Sequence, residues 1–179
     1  MKLRLGQITA GETRHELRFH PGVLPRLAEQ LASEDGNVTA SLGVRRIDDL
    51  IEVKGTLHAE LTLPCSRCLA PTALTLEEEF TALQAPAEWL KRLGPEVELG
   101  GSDLDVDFFE GDELDLGVLV EEQLLLNLPQ ALYCREDCKG ICAGCGRNLN
   151  ESDCVCAVEP EDHPFAALKS LLTETKREH

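Results

Sequence analysis

The chain has 179 residues, of which 42% are hydrophobic and only 4% are aromatic. This length and apolar content suit one folded domain with a small appended segment, and so few aromatic rings argue against a surface that stacks nucleic-acid bases. The net charge of −16, from 33 acidic and 17 basic residues, argues against extensive direct binding to phosphate backbones.

The first 36 residues predict one strand and one helix. Alternating apolar residues predict a short strand over residues 3–8. Apolar residues at helical spacing predict a helix over residues 23–31, and Gly36 is its expected stop.

A long stretch of strand character follows. Apolar and polar residues alternate over residues 38–44 and again over residues 51–61, with Asp48 and Asp49 between them as a turn. This pattern predicts an antiparallel hairpin that leads into the sequence C-S-R-C. A further strand is expected over residues 73–80.

The middle of the chain is acidic and poor in apolar residues. One or two helical turns are expected over residues 86–93, and the Gly- and Asp-rich residues 94–115 are expected to form a mobile loop with an edge strand near 104–109. Residues 77–122 carry fifteen acidic side chains against Lys91 and Arg92, a net charge of −13. Either this region is a solvated face, or it is a docking surface for a basic partner.

Two helices are predicted in the last third. Residues 117–128 are apolar around most of the helix circumference, so we expect this helix to be buried and to end at Pro129. Residues 164–172 predict a compact amphipathic helix that begins at a proline.

These elements together predict an α+β fold, with antiparallel hairpins, peripheral helices and a C-terminal cysteine-rich zinc-binding segment. We expect an α+β domain over residues 1–130, the cysteine-rich segment over 131–160, and a C-terminal helix within 161–179 that packs back on the domain.

The eight cysteines are the most informative feature. The amino terminus has no apolar run long enough for a signal peptide, and no stretch has the length of a membrane span. We therefore expect a soluble, cytoplasmic protein without membrane contact, a compartment in which stable disulfides are uncommon.

Thiolates are good ligands for a tetrahedral zinc ion. The sequence C-A-G-C-G followed by C-V-C offers Cys142, Cys145, Cys154 and Cys156 as one four-thiolate set. The two glycines of C-A-G-C-G let the backbone turn tightly around the sulfurs.

Four further cysteines leave the ligand sets open. The pair Cys134 and Cys138 could replace one member of the C-V-C pair, or it could join Cys65 and Cys68 in a second metal site. Cys65 and Cys68 could also be a redox pair or simply buried thiols. The sequence does not decide among these arrangements, nor does it separate zinc sharply from iron, although we favour zinc.

The segment 134–156 has few large aliphatic side chains, so a bound metal would supply much of its folding free energy. Arg135, Lys139 and Arg147 lie close to the cysteines in sequence. They are expected to offset the negative charge of the thiolates, and they are also the candidate contacts for a phosphate.

No catalytic arrangement is recognisable. Four thiolates leave no open position for water on the metal, and the sequence has no phosphate-binding glycine motif. We therefore expect a non-enzymatic protein without a small-molecule substrate.

The motifs C-S-R-C-L, EEQLLLNLP, YCREDCKGICAGCGRNLN and PFAALKSLL, in this order over about residues 38–172, resemble the YceD-like family, and their full cysteine set is similar to that of its Gram-positive and related bacterial branch. The resemblance implies a factor in large ribosomal subunit biogenesis that supports 23S rRNA accumulation or maturation. It also implies a partner that is a ribosomal protein or a pre-ribosomal particle of the large subunit. A thiol redox protein that uses Cys65 and Cys68, and a zinc ribbon that binds RNA directly, are the alternatives.

Overall fold

The structure is a computed structural model that describes residues 1–89 and 106–156. The helix expected at 164–172 lies outside these residues. So do residues 90–93 of the segment 86–93 and residues 94–105 of the expected loop. No helix in the described part of the chain is long and apolar enough to cross a membrane.

Seven strands and two α-helices organise the described residues. Their bounds are Lys2–Arg4 (β1), Thr13–Phe19 (β2), Pro25–Ala28 (α1), Ser33–Ile47 (β3), Leu50–Pro64 (β4), Pro71–Pro86 (β5), Val106–Phe109 (β6), Glu113–Asp115 (β7) and Leu116–Asn127 (α2). Strands β2 to β6 form one sheet in chain order, and β1 pairs with β7 in a second sheet. All pairs are antiparallel except β5 with β6, which is parallel. The predicted α+β class with antiparallel hairpins and a C-terminal cysteine cluster is confirmed.

The predicted hairpin is present, and it is longer than expected. Strands β3 and β4 pair up to Ile47 and Leu50, so that Asp48 and Asp49 form the turn between them. Asp48 has a φ of 52°, a left-handed conformation that aspartate adopts more readily than most residues. The strand expected at 73–80 lies within β5.

The helix expected over residues 23–31 is only one α-helical turn, Pro25–Ala28, and Gly36 does not end it. The backbone amide of Ala32 already donates to Thr62 of β4, so pairing with the sheet takes over soon after the turn. Gly36 instead lies within β3, where the register shifts between Ser33 and Asn37.

Substitution of Gly36 by alanine is expected to destabilise the fold by about 1–3 kcal/mol. Gly36 has a φ of 143°, and a Cβ there would overlap with the carbonyl oxygen of Glu60. Urea unfolding of G36A and wild type measures the effect. Gly6 has open space around its Cα, so G6A is the control, and equal loss in both variants would contradict this account.

Strands β2 and β7 were not predicted from the sequence, and β1 is shorter than the strand expected at 3–8. Strand β2 is an edge strand with Leu17 as its single buried residue, so its polar residues hide the alternation. Strands β6 and β7 occupy part of the segment 94–115 that was expected to be a loop. Strand β6 overlaps the expected edge strand.

Helix α2 packs against the core through Leu116, Leu119, Val120 and Leu124, each at most 3% exposed. We expected the whole helix to be buried, but one side of it is exposed. Val118 is 47% exposed and Leu126 is 76% exposed, because among the described residues the sheet covers the helix from one direction.

The carboxylate of Glu52 makes stability depend on pH. It accepts a hydrogen bond of 2.6 Å from Arg45 and lies 3.3 Å from Lys54. The bond from Arg45 is the main cause of its lowered pKa, and burial opposes it. The lowered pKa stabilises the fold above the ordinary pKa of 4.5, and this contribution is lost as the pH falls toward the folded-state value.

We therefore expect Glu52→Gln to be less stable than wild type at pH 7, and the difference to shrink at pH 3. Denaturant titrations at both pH values measure it. A difference that does not depend on pH would contradict the role of the Glu52 charge.

Candidate metal centres

The structure assembles the eight cysteines into two groups of four. The inner cluster is Cys65, Cys68, Cys134 and Cys138, and the outer cluster is Cys142, Cys145, Cys154 and Cys156. Within each group all four sulfur atoms lie within 4.8 Å of one another. The arrangement therefore brings Cys134 and Cys138 to Cys65 and Cys68, and not to the C-V-C pair.

The inner cluster forms where the turn between β4 and β5 meets the chain that follows α2. Two hydrogen bonds join these segments, from the Ser66 amide to the Leu132 carbonyl at 2.7 Å and from the Leu132 amide to the Ser66 hydroxyl at 2.9 Å. Arg67 reinforces the junction, because its guanidinium donates to the Cys138 carbonyl at 3.0 Å and lies 4.4 Å from the centre of the Tyr133 ring.

The sulfur spacing fits a single tetrahedral ion. In the inner cluster, Cys65 and Cys138 are 3.9 Å apart, and Cys68 and Cys134 are 3.6 Å apart. Zinc–sulfur bonds of about 2.3 Å imply sulfur–sulfur edges of about 3.8 Å in a tetrahedron. A disulfide would need about 2.0 Å, and all eight cysteines are free.

The outer cluster has similar spacing and a different setting. The sulfur of Cys154 lies 3.5 Å from that of Cys145 and 3.3 Å from that of Cys142. Cys145 and Cys156 are exposed to solvent. Its ligands are close in sequence, whereas the inner cluster joins residues up to 73 positions apart and has three buried cysteines.

Backbone and side-chain amides surround the inner sulfurs. Burial raises the pKa of Cys65. The backbone amides of Arg67 and Cys134 donate hydrogen bonds of 3.4 Å to its sulfur, and these outweigh burial and lower the pKa of Cys65 to about 6. Desolvation of the Cys134 thiol, followed by hydrogen bonding with the neighbouring thiols, raises its pKa to about 12, although the residue as a whole is exposed. Asn150 donates to the Cys138 sulfur at 3.3 Å. Such donors compensate negative charge on metal-bound thiolates.

The outer cluster also contains one thiol with a lowered pKa and one with a raised pKa. The backbone amide of Cys145 is the main cause that lowers the pKa of Cys142 to about 6, and the Cys154 thiol and the amide of Gly144 add to it. Hydrogen bonding with the thiols of Cys154 and Cys145 raises the pKa of Cys156 to about 12. In each cluster a divalent cation can replace the protons of the four thiols.

Sequence reasoning missed two residues of these sites. Asn150 contacts the inner cluster although it lies within the outer segment, and its Oδ1 also accepts the Lys139 amide at 2.8 Å. Leu69 follows the second cysteine of C-S-R-C with a φ of 62°, the same left-handed conformation as Gly146 after C-A-G-C. No sequence motif marks Asn150, whereas comparison of the two C-x2-C turns points to Leu69.

The three basic residues near the cysteines are not equivalent. Arg135 lies 3.4 Å from Asp137, so its charge is already paired. Lys139 and Arg147 have no ion pair with the described residues. Their expected contact with phosphate remains a prediction.

The family profile described as "Large ribosomal RNA subunit accumulation protein YceD" matches residues 53–172 of the chain. A protein of that name from Haemophilus influenzae is 32% identical over 83% of this chain and 81% of its own length. The maize "Large ribosomal RNA subunit accumulation protein YCED homolog 1, chloroplastic" is 26% identical over 87% of this chain. An uncharacterized Bacillus subtilis protein, YlbN, is 29% identical over 66% of this chain and 64% of its own length.

The chain spans 60% of the maize protein's own length and 48% of that of its Arabidopsis thaliana counterpart. No solved structure matches the chain. The profile match covers most of β4, strands β5 to β7, helix α2 and both cysteine clusters, and the Haemophilus protein matches over most of both chains. The chain therefore belongs to the family of the large ribosomal RNA subunit accumulation protein YceD.

Proposed function

We propose that this protein is a non-enzymatic factor in large ribosomal subunit biogenesis that supports the accumulation and maturation of 23S rRNA. Membership of the YceD family is the observation that carries the proposal. We place this activity in the cytoplasm.

Zinc is the metal we assign to both clusters. Four thiolates within 4.8 Å suit one ion, and they leave too little space for the bridging sulfides of an iron–sulfur cluster. When bound, zinc supplies folding free energy and no catalytic water, because four protein ligands fill its coordination shell. The inner ion would hold the turn between β4 and β5 to the chain after α2.

A structural role for the clusters argues against a thiol redox enzyme. Cys65 and Cys68 lie in a turn between two strands, whereas reactive C-x2-C pairs use a helix N-terminus. Each of these sulfurs also has a partner sulfur from the segment 134–138 within 3.9 Å.

The partner we propose is a basic ribosomal protein or a pre-ribosomal particle of the large subunit. A net charge of −16 repels naked RNA and attracts basic protein surfaces. The paired charge of Arg135 further weakens the case for a zinc ribbon that binds RNA directly.

Cells that lack this protein are expected to contain less 23S rRNA relative to 16S rRNA. Quantification of both RNAs by gel or sequencing measures the ratio. Wild-type protein should restore it, and a variant with Cys65→Ser and Cys138→Ser should not. An unchanged ratio in the deletion strain would contradict the proposed function, and purification with naked RNA only would contradict the protein partner.

A further inference from the structure

One side of helix α2 is left open in the described part of the chain. Val118 and Leu126 are 47% and 76% exposed, although a helix that is apolar around most of its circumference is normally covered. Both side chains line a groove of about 570 Å³ between α2 and strands β6 and β7. Phe108 of β6 also lines it and is 40% exposed. Exposed apolar side chains that line one groove are candidates for an interaction site.

Carboxylates dominate the rim of the groove. Five acidic residues and a single cation line it, namely Asp107, Glu110, Glu113, Asp115, Glu122 and Arg26. Arg26 is already committed to Glu121 and Glu122, at 3.5 and 3.1 Å. Asp107 and Glu110 form no ion pair with any of the described residues. Asp107 accepts a hydrogen bond from Gln84 at 3.4 Å, which leaves its charge unneutralised. Among the described residues, the rim therefore offers two carboxylates without a cationic partner beside apolar side chains.

We propose that this groove binds a basic amphipathic segment of a partner protein. Its apolar side would cover Phe108, Val118 and Leu126, and its lysine or arginine side chains would pair with Asp107 and Glu110. Phosphate would be repelled by the same carboxylates, so RNA does not fit the groove. The inference rests on the proposed function in one respect: that function places the partner protein in large-subunit biogenesis.

A photo-reactive amino acid at Leu126 in the full-length protein, expressed in cells, tests the proposal. Mass spectrometry should identify a crosslinked peptide of another protein that carries a net positive charge and apolar residues at helical or strand spacing. The same photo-reactive group at Glu79, exposed on β5, is the control position and should not capture that peptide.

Binding of a synthetic copy of the captured peptide then tests the groove directly. Val118→Ser with Leu126→Ser should weaken binding at least about tenfold, because two partly exposed apolar side chains lose their burial in the complex. Asp107→Asn with Glu110→Gln should weaken it about three- to tenfold and reduce its salt dependence. Glu77→Gln with Glu79→Gln removes the same charge from strand β5, outside the groove, and should leave affinity unchanged.

Crosslinks to RNA, or to other residues of the same chain, would overturn the proposal. Equal peptide affinity in the groove variants and the control variant would also overturn it. The complementation assay separates this failure from that of the proposed function. If wild-type protein and the V118S/L126S variant restore 23S rRNA equally, the groove inference fails and the function stands.

Discussion

Purified protein is expected to contain two zinc ions per chain, and removal of the inner ion is expected to have the larger effect on the fold. The inner cluster joins the β4–β5 turn to the chain after α2, across up to 73 residues, and three of its cysteines are buried. Structural zinc contributes on the order of 10–16 kcal/mol in small peptides, so its loss can exceed the stability of an ordinary domain.

Elemental analysis and thermal unfolding of two matched variants measure this difference. Cys138→Ser should reduce the zinc content to one ion and lower the melting temperature strongly. Cys145→Ser, in the exposed outer cluster, should also leave one ion, but the sheet and α2 should keep their stability. Hydrogen exchange should show increased exchange at residues 65–69 and 132–138 in the first variant only.

Two outcomes would contradict this account. One is that freshly prepared protein contains no metal and that a chelator does not change the order of residues 134–156. The other is an equal loss of stability in both variants, which would mean that burial of the inner cluster does not matter.

Glu121→Ala is expected to destabilise the fold by about 2–5 kcal/mol. Glu121 lies in α2 and is only 4% exposed. Its Oε1 accepts hydrogen bonds from the backbone amides of Arg26 at 2.7 Å and Leu27 at 3.1 Å. These amides lie in the first turn of α1, where a helix offers them no backbone acceptor. Alanine would leave both amides without an acceptor, and Leu27 is fully buried.

The neighbouring residue offers a matched control. Glu122 is 39% exposed, and among the described residues its hydrogen bond comes from the Arg26 side chain, at 3.1 Å. Glu122→Ala should therefore cost less than about 1 kcal/mol. Glu121→Gln keeps an oxygen acceptor, so its loss of stability should lie between those of Glu121→Ala and Glu122→Ala. Urea unfolding of the three variants measures the differences, and equal stability of E121A and E122A would show that Glu121 does not cap α1.

Local patterns explain which elements could be predicted. The β3–β4 hairpin has a clear period of two and a two-residue turn, and α2 is long and ends before a proline. By contrast, α1 is a single turn whose N-terminus is capped by Glu121, 94 residues away from Leu27. The sequence of residues 23–31 alone cannot predict a hydrogen bond to a residue so far along the chain. Strand β2 escaped prediction because an edge strand of a solvated sheet needs few apolar residues.

By itself the sequence determined the hairpin, helix α2 and the local C-x2-C turns, because each depends on residues that are neighbours along the chain. Only the tertiary structure decided that Cys134 and Cys138 meet Cys65 and Cys68, since the pairing depends on where the end of β4 and the end of α2 come together in space. Within the described residues it also decided which side of α2 stays open, because a helix that is apolar around most of its circumference has no clear pattern that predicts which face the sheet covers.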